Sequence, residues 1–315
     1  MTPDPERPAS VAPAAPAAER QRQAAGYAVL LGTLALMWGS SYLFIKIGVA
    51  TLPPLSLVLL RVLVGLAILA LVVAVTRTPL PRDARTVGHL AVLGAVNIAI
   101  PFWLIGWAEQ HIDSGLAGIL QSTAPFFTLV IAASFIHDER VTRGRLAGIG
   151  LGFLGILLLS AENIADLGSA LGAERLLAEL AVVGSSLAYA IGSTYARRNL
   201  RNARPLVLAT GQVGWAAVIV GVLALLVDGG VTLPAVPEAV VSVLWLGAVG
   251  TGFAYIVFFR LLTGWGPTRA SLVAYLLPVV AVILGVVILG ESIDALFVAG
   301  AALIVAGVWV VNRRG

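Results

Sequence analysis

The chain has 315 residues, 59% hydrophobic and 11% charged, with a mean hydropathy of +0.98; this balance excludes an ordinary water-soluble domain. A formal net charge of +4 and a pI of about 9.8 would suit a nucleic-acid binder, but the basic residues collect at the ends of apolar segments, so no nucleic-acid partner is expected. There is no cysteine, which excludes disulfides, thiolate nucleophiles and Cys-ligated metals.

In chain order, residues 1–25 are rich in Pro and Ala and carry scattered charges, and they read as a disordered tail, not as a cleaved signal peptide. Ten apolar segments follow: Tyr27 to Ile47, Leu55 to Val75, Val87 to Ala108, Gly115 to Ile136 and Leu146 to Ser160, then Leu177 to Ala196, Leu206 to Val227, Val240 to Leu261, Ala270 to Leu289 and Ala295 to Val311. Crossing a bilayer core of roughly 30 Å takes about 20 helical residues, so most of these suffice, with the fifth and tenth short. A transmembrane barrel would need short alternating segments instead. The expected fold is an all-α polytopic membrane protein with ten transmembrane helices, its main surroundings the lipid bilayer.

The chain is also written twice. Trp38, Lys46, Pro54 and Arg61 recur as Tyr189, Arg197, Pro205 and Gln212. Leu93-Gly94-Ala95-Val96 returns as Leu246-Gly247-Ala248-Val249, Pro125 as Pro278, Glu139 as Glu291, Ala147-Gly148 as Ala299-Gly300 and Gly155 as Gly307. The units are residues 26–160 and 177–315, joined by a linker over 161–176. Each carries five crossings, and because five is odd the second must enter the membrane from the opposite side. Two inverted five-helix repeats are the architecture of alternating-access carriers.

Charge sorting gives the orientation. With the N-terminus cytoplasmic, Arg7, Arg20, Arg22, Arg77, Arg82, Arg85, Arg140, Arg143, Arg145, Arg197, Arg198, Arg201, Arg204, Arg260, Arg269, Arg313 and Arg314 all fall inside. Only Lys46 and Arg175 fall outside, with Arg61 within a helix, so both termini are expected in the cytoplasm and the linker outside.

The residues also carry a family resemblance. An opening helix with Trp38-Gly39-Ser40-Ser41 and Lys46, then Pro54 and Arg61, a mid-helix Pro125 or Pro278, and an Asp138-Glu139 or Gly290-Glu291 step before a small-residue helix together resemble the EamA-type domain of the drug/metabolite transporter superfamily. The resemblance covers each half, from about Tyr27 to Val311. It implies a secondary transporter of the inner membrane, with export of amino acids or related small metabolites foremost. A multidrug or toxic-compound exporter is the rival within the class, and a non-transporting structural or assembly subunit the rival outside it.

Enzymatic machinery is not legible. His89, His111 and His137 have no metal-site spacing, and there is no mid-helix aspartate pair, nucleophile elbow or phosphate-binding loop. No enzyme activity, cofactor or metal is expected. Trp38, Tyr42, Asn97, Trp103, Gln121, Tyr189, Ser193, Tyr255, Ser271 and Tyr275 are the candidate lining of a small-molecule substrate cavity, each equally able to be packing. Pro125 and Pro278 free the carbonyls of Gln121 and Ala274 from helical bonding and are the candidate gating positions. Arg61 is either a carboxylate or phosphate clamp or a structural cation bonded to carbonyls; Gln212 in the matching place, a neutral donor, favours the structural role. Glu109 and Glu179, at helix ends where charges are ordinarily solvated, are the nearest candidates for proton coupling. Gly148-x-x-x-Gly152 and the small residues near Gly300 suit close helix packing within the chain and leave a homodimer open.

Overall fold

A computed structural model describes residues 17–135 and 142–312, so His137 and the Asp138-Glu139 step lie outside the described residues. Among the described residues ten helical rods follow one another: α1 (Ala17–Val49), α2 (Pro54–Thr76), α3 (Ala84–Ala108), α4 in two pieces (Ser114–Gln121 and Ala124–Phe135), α5 (Arg143–Leu159), α6 (Ala170–Asn199), α7 (Pro205–Val227), α8 (Pro237–Gly264), α9 (Val273–Leu289) and α10 (Ala295–Asn312). No strand occurs among the described residues. Seven rods are long and apolar enough to cross a membrane, α9 and α10 are shorter apolar helices, and α5 has 17 residues. Apolar side chains also cover the outside, with Leu226 77% and Val287 75% exposed, a surface suited to lipid and not to water. The protein is an all-α, multi-pass membrane protein.

An even number of rods returns the chain to the face from which it started. The ends of α1 and α10 share one face, the terminal face, and the 50–53, 109–113, 160–169, 228–236 and 290–294 connections share the other, the far face. Local chemistry marks the rod ends. Pro54 and Pro205 open α2 and α7 at the first helical position, where a missing N–H costs nothing. The side chains of Asp83, Thr142 and Ser169 accept from the first-turn N–H groups of Thr86, Arg145 and Gly172.

Several boundaries differ from the sequence reading. Helix α1 begins at Ala17, inside the stretch expected to be a disordered tail, because Ala, Glu, Arg and Gln there are all good helix formers. The expected linker contains a short helix, Ala161–Ala165, and α6 starts at Ala170 instead of Leu177. Pro125 is not mid-helix: it is the second residue of the second piece of α4, after a break at Ser122-Thr123, whereas Pro278 does sit inside a continuous helix.

The repeat is visible as pairs of equivalent contacts. A methyl added at Gly148 of α5 would lie 2.8 Å from the Gly307 carbonyl of α10, and one at the repeat mate Gly300 would lie 3.0 Å from the Gly155 carbonyl. Likewise, a methyl on Gly94 of α3 would meet the Gln212 carbonyl at 2.8 Å, and one on Gly247 of α8 would meet the Arg61 carbonyl at 2.8 Å. Each contact maps onto its partner when the halves are exchanged, which is the signature of a pseudo-two-fold axis between antiparallel copies. The small residues of α5 and α10 are thus spent on packing within the chain. Both α3 and α8 carry a π-helical segment at repeat-equivalent places, Ala95–Ala99 and Trp245–Phe253.

The symmetry is broken in one respect. The far-face piece of α4 packs tightly on α9, with a Gly118 methyl position only 2.5 Å from the Ala281 Cβ. The Glu291 carboxylate, just past α9, then caps that piece of α4, accepting from the Ser114 N–H and hydroxyl (2.7 Å each) and from the Gly115 N–H (2.9 Å). Among the described residues, the terminal-face piece of α4 makes no comparable contact with α9 and packs against α6 instead. The bundle is closed toward the far face between α4 and α9.

Candidate functional site

A cavity of about 380 Å³ lies between the two halves, on the terminal-face side of that closure. This falls in the range of about 300–1,000 Å³ usual for small-molecule sites. Its walls come from both repeats. From α1 come Trp38, Ser41, Tyr42 and Ile45; from α2 Arg61; from α3 Asn97, Phe102 and Ile105; and from α4 Gly118, Gln121, Ser122, Ala124 and Pro125. The second half adds Tyr189 and Ser193 from α6, Gly250, Tyr255 and Phe258 from α8, and Ala274, Leu277 and Pro278 from α9.

The opening motif of the first repeat explains why α1 can line this space. Gly39 lets α1 lie against α9, where a side chain would collide with Val280, and Ser40 accepts a 2.9 Å bond from the indole N–H of Trp245. Trp38 and Ser41 are left facing inward, with Trp38 5.4 Å from the Phe258 ring.

The π-helical segments set the opposite wall. One extra residue in a turn re-aims the side chains that follow, and here it brings Asn97 in α3 and the Gly250 backbone in α8 to the cavity. Asn97 donates to the Gln212 side-chain oxygen at 2.9 Å, and the Gln212 amide donates to the Tyr255 hydroxyl at 3.2 Å. Arg61, the repeat mate of Gln212, makes the reciprocal reach into α8. Its Nε donates to the Thr251 hydroxyl at 3.1 Å and its Nη2 to the Gly250 carbonyl at 3.5 Å, and its guanidinium carbon lies 3.9 Å from the Phe102 ring centroid. A guanidinium has five N–H donors. Two are engaged, so the structural role expected of Arg61 accounts for only part of its capacity. It is the only charged side chain among the lining residues.

The break in α4 is also accounted for. The Gln121 carbonyl, which Pro125 cannot serve, accepts a 3.1 Å bond from the Ser186 hydroxyl of α6, and the Gln121 side chain accepts from Ser185 at 2.5 Å. Both serines are wholly buried.

Of the ten expected lining residues, Trp38, Tyr42, Asn97, Gln121, Tyr189, Ser193 and Tyr255 are in the cavity, with Arg61, Pro125 and Pro278. Three are not. Trp103 is 41% exposed on the outer side of α3, because the π-helical turn presents its neighbour Phe102 in its place. Ser271 is exposed at the turn before α9, and the Tyr275 hydroxyl reaches away to donate to the Val308 carbonyl of α10 at 3.2 Å. Sequence reasoning missed Phe102, Phe258, Ile45, Ile105 and Leu277, whose apolar side chains carry no signal separating a cavity wall from a lipid face. Glu109 and Glu179 lie outside the cavity; both are buried and not solvated, at 0% and 1% exposure. Glu179 accepts from Asn163 at 2.6 Å and borders a second, polar cavity of about 300 Å³ at the far face. His89 pairs with Tyr195 at 2.6 Å and His111 faces Glu174 at 3.4 Å, both away from the central cavity.

Both halves of the chain match the EamA-like transporter family, at residues 26–161 and again at 176–313. A "probable amino-acid metabolite efflux pump" of Salmonella typhimurium is 28% identical over 295 residues, covering 90% of this chain and 93% of the relative. The "uncharacterized inner membrane transporter YedA" of Escherichia coli is 30% identical over 267 residues, covering 84% of this chain and 83% of the relative. A "probable terminal-alkyne amino-acid exporter" of Streptantibioticus cattleyicolor is 27% identical, with 88% and 90% covered. A solved crystal structure, 20% identical, shares the fold with a TM-score of 0.63 over 91% of this chain and 97% of that one.

Proposed function

This chain belongs to the EamA-like transporter family, and from that premise we propose that it exports amino acids or related small metabolites across the inner membrane by alternating access. The terminal face is assigned to the cytoplasm because the basic residues of the connections gather there. Closure toward the far face then leaves the cavity on the cytoplasmic side, the state in which an exporter loads. The names of the relatives support the direction and the substrate class.

The observation that carries the reading is Arg61. A single cation with unengaged donors, set among Trp38, Tyr42, Tyr189, Tyr255 and Phe258, suits a solute with one carboxylate and a modest apolar body. The aromatic faces offer cation–π attraction to an ammonium group, so a zwitterion needs no acidic residue in the wall. A sugar phosphate would call for more than one cation, and an apolar cation would meet Arg61 unfavourably. Counterflow in proteoliposomes tests this: uptake of a labelled amino acid driven by an unlabelled pool is expected, and exchange of sugar phosphates with no response to amino acids would overturn it.

A further inference from the structure

Asn97 lines the central cavity with its amide anchored in one sense. Its Nδ2 donates to the Gln212 side-chain oxygen at 2.9 Å, and Gln212 is itself held by donating to the Tyr255 hydroxyl at 3.2 Å. The Asn97 side-chain oxygen is left over and accepts no hydrogen bond among the described residues. Gly192 of α6 leaves room for it, since a methyl there would stand 2.9 Å from that oxygen.

The repeat says where this acceptor lies relative to Arg61. Asn97 and Gly250 match one another, each following the Leu-Gly-Ala-Val stretch of its own half, and Gln212 matches Arg61. Exchanging the halves therefore carries the Arg61–Gly250 contact onto the Gln212–Asn97 contact, and the two lie on opposite sides of the pseudo-two-fold axis. One side presents a cation with N–H groups to spare. The other presents a neutral carbonyl oxygen. An ammonium group is repelled by the first, and with no carboxylate in the wall it must find a neutral acceptor.

We propose that Asn97 recognises the ammonium group of the substrate: its side-chain oxygen accepts one N–H of a zwitterion whose carboxylate is held by Arg61, and Gln212 and Tyr255 are positioning residues that keep the amide turned that way. A hydrogen bond from a charged donor is stronger than a neutral one. The same arrangement discriminates. A monocarboxylate lacking the amino group leaves the Asn97 oxygen out of water and unpaired. A quaternary ammonium keeps its attraction to the aromatic faces but has no N–H to donate.

This rests on the amino-acid reading, and one set of ligands separates the two. Thermal-shift titrations first choose the best-bound of leucine, methionine and phenylalanine. They then compare it with the same acid lacking the amino group and with its N-trimethyl derivative. The parent is expected to favour the amino acid over both by roughly ten- to a hundred-fold, the range for a hydrogen bond to a charged group. In Asn97→Leu the preference over the des-amino acid should fall close to one. Should that variant fail to fold, Asn97→Asp takes its place: it keeps an acceptor and adds a negative charge, and the preference should widen at least several-fold. A preference that survives Asn97→Leu, or fails to widen with Asn97→Asp, overturns the assignment of Asn97 alone, as does equal binding of the N-trimethyl derivative by the parent. If none of the three amino acids binds the parent, the amino-acid reading is overturned and the assignment falls with it.

Discussion

The Arg61 guanidinium carbon stands 3.9 Å from the centre of the Phe102 ring, while its Nε and Nη2 are tied to Thr251 and Gly250 of the opposite repeat. The arrangement fixes the cation in place and leaves donors toward the cavity. Replacing Arg61 with Gln removes a charge-assisted contact worth about 1.5–3 kcal/mol. Affinity for an amino acid is expected to fall roughly ten- to a hundred-fold, with little change for its carboxamide. Ligand-induced thermal shifts for the acid and amide, in parent and variant, check this; equal losses for both would make Arg61 a structural cation only.

Gln212 joins Asn97 to Tyr255 across three rods, so Gln212→Leu strands an amide donor and disturbs a hydroxyl in one step. A loss of about 1–3 kcal/mol in stability is expected. Adding Asn97→Leu should then cost far less than it does alone, since both changes break one network. A thermal double-mutant cycle in detergent measures the coupling, and simple additivity would show that the bonds contribute little.

Gly118 is the tightest point of the α4–α9 closure. Gly118→Ala places a methyl 2.5 Å from the Ala281 Cβ, well inside contact distance, and should act as a wedge, raising labelling of Ser122→Cys by an impermeant maleimide from the far face several-fold. Unchanged labelling in a folded variant would mean that this contact does not hold the far face shut.

The glycines of α5 separate cleanly by environment. A methyl at Gly155 would lie 2.7 Å from the Gly300 carbonyl, whereas none of the neighbours of Gly150 comes within 4 Å. Gly155→Ala is expected to force α5 and α10 apart and lower thermal stability. Gly150→Ala should be neutral or better by up to about 1 kcal/mol, the usual helix preference of Ala over Gly. Melting curves that treat the two alike would contradict the packing described.

For orientation, Gly168 lies exposed on the far face with open space around it. Gly168→Cys should react with an impermeant thiol reagent added outside intact cells. Reaction only after the membrane is breached would place the far face in the cytoplasm and reverse the proposed direction.

How much of this was written in the sequence follows from what each signal depends on. Apolar runs of crossing length and a repeated order of Trp or Tyr, basic residue, proline and polar residue are properties of the linear chain. They determined the helical membrane class, the number of rods and the duplication without reference to any contact. The polar and aromatic lining was legible where a residue is costly in lipid, as at Arg61, Asn97 and Gln121, because such a side chain must turn inward. Trp103 and Phe102 mark the limit. Both are apolar, either could face lipid or cavity, and the choice was made by a π-helical turn whose extra residue no periodicity announces. The same holds for Glu109: its composition reads as a solvated helix end, and only the packing of α1, α2 and α6 around the end of α3 removes its water. The closed far face, too, was decided by tertiary structure alone. The two halves carry the same overall pattern, and the residues in which they differ do not announce which end closes. That difference is made by contacts such as Gly118 against Ala281 and Glu291 against Ser114, which bring together residues far apart in the chain.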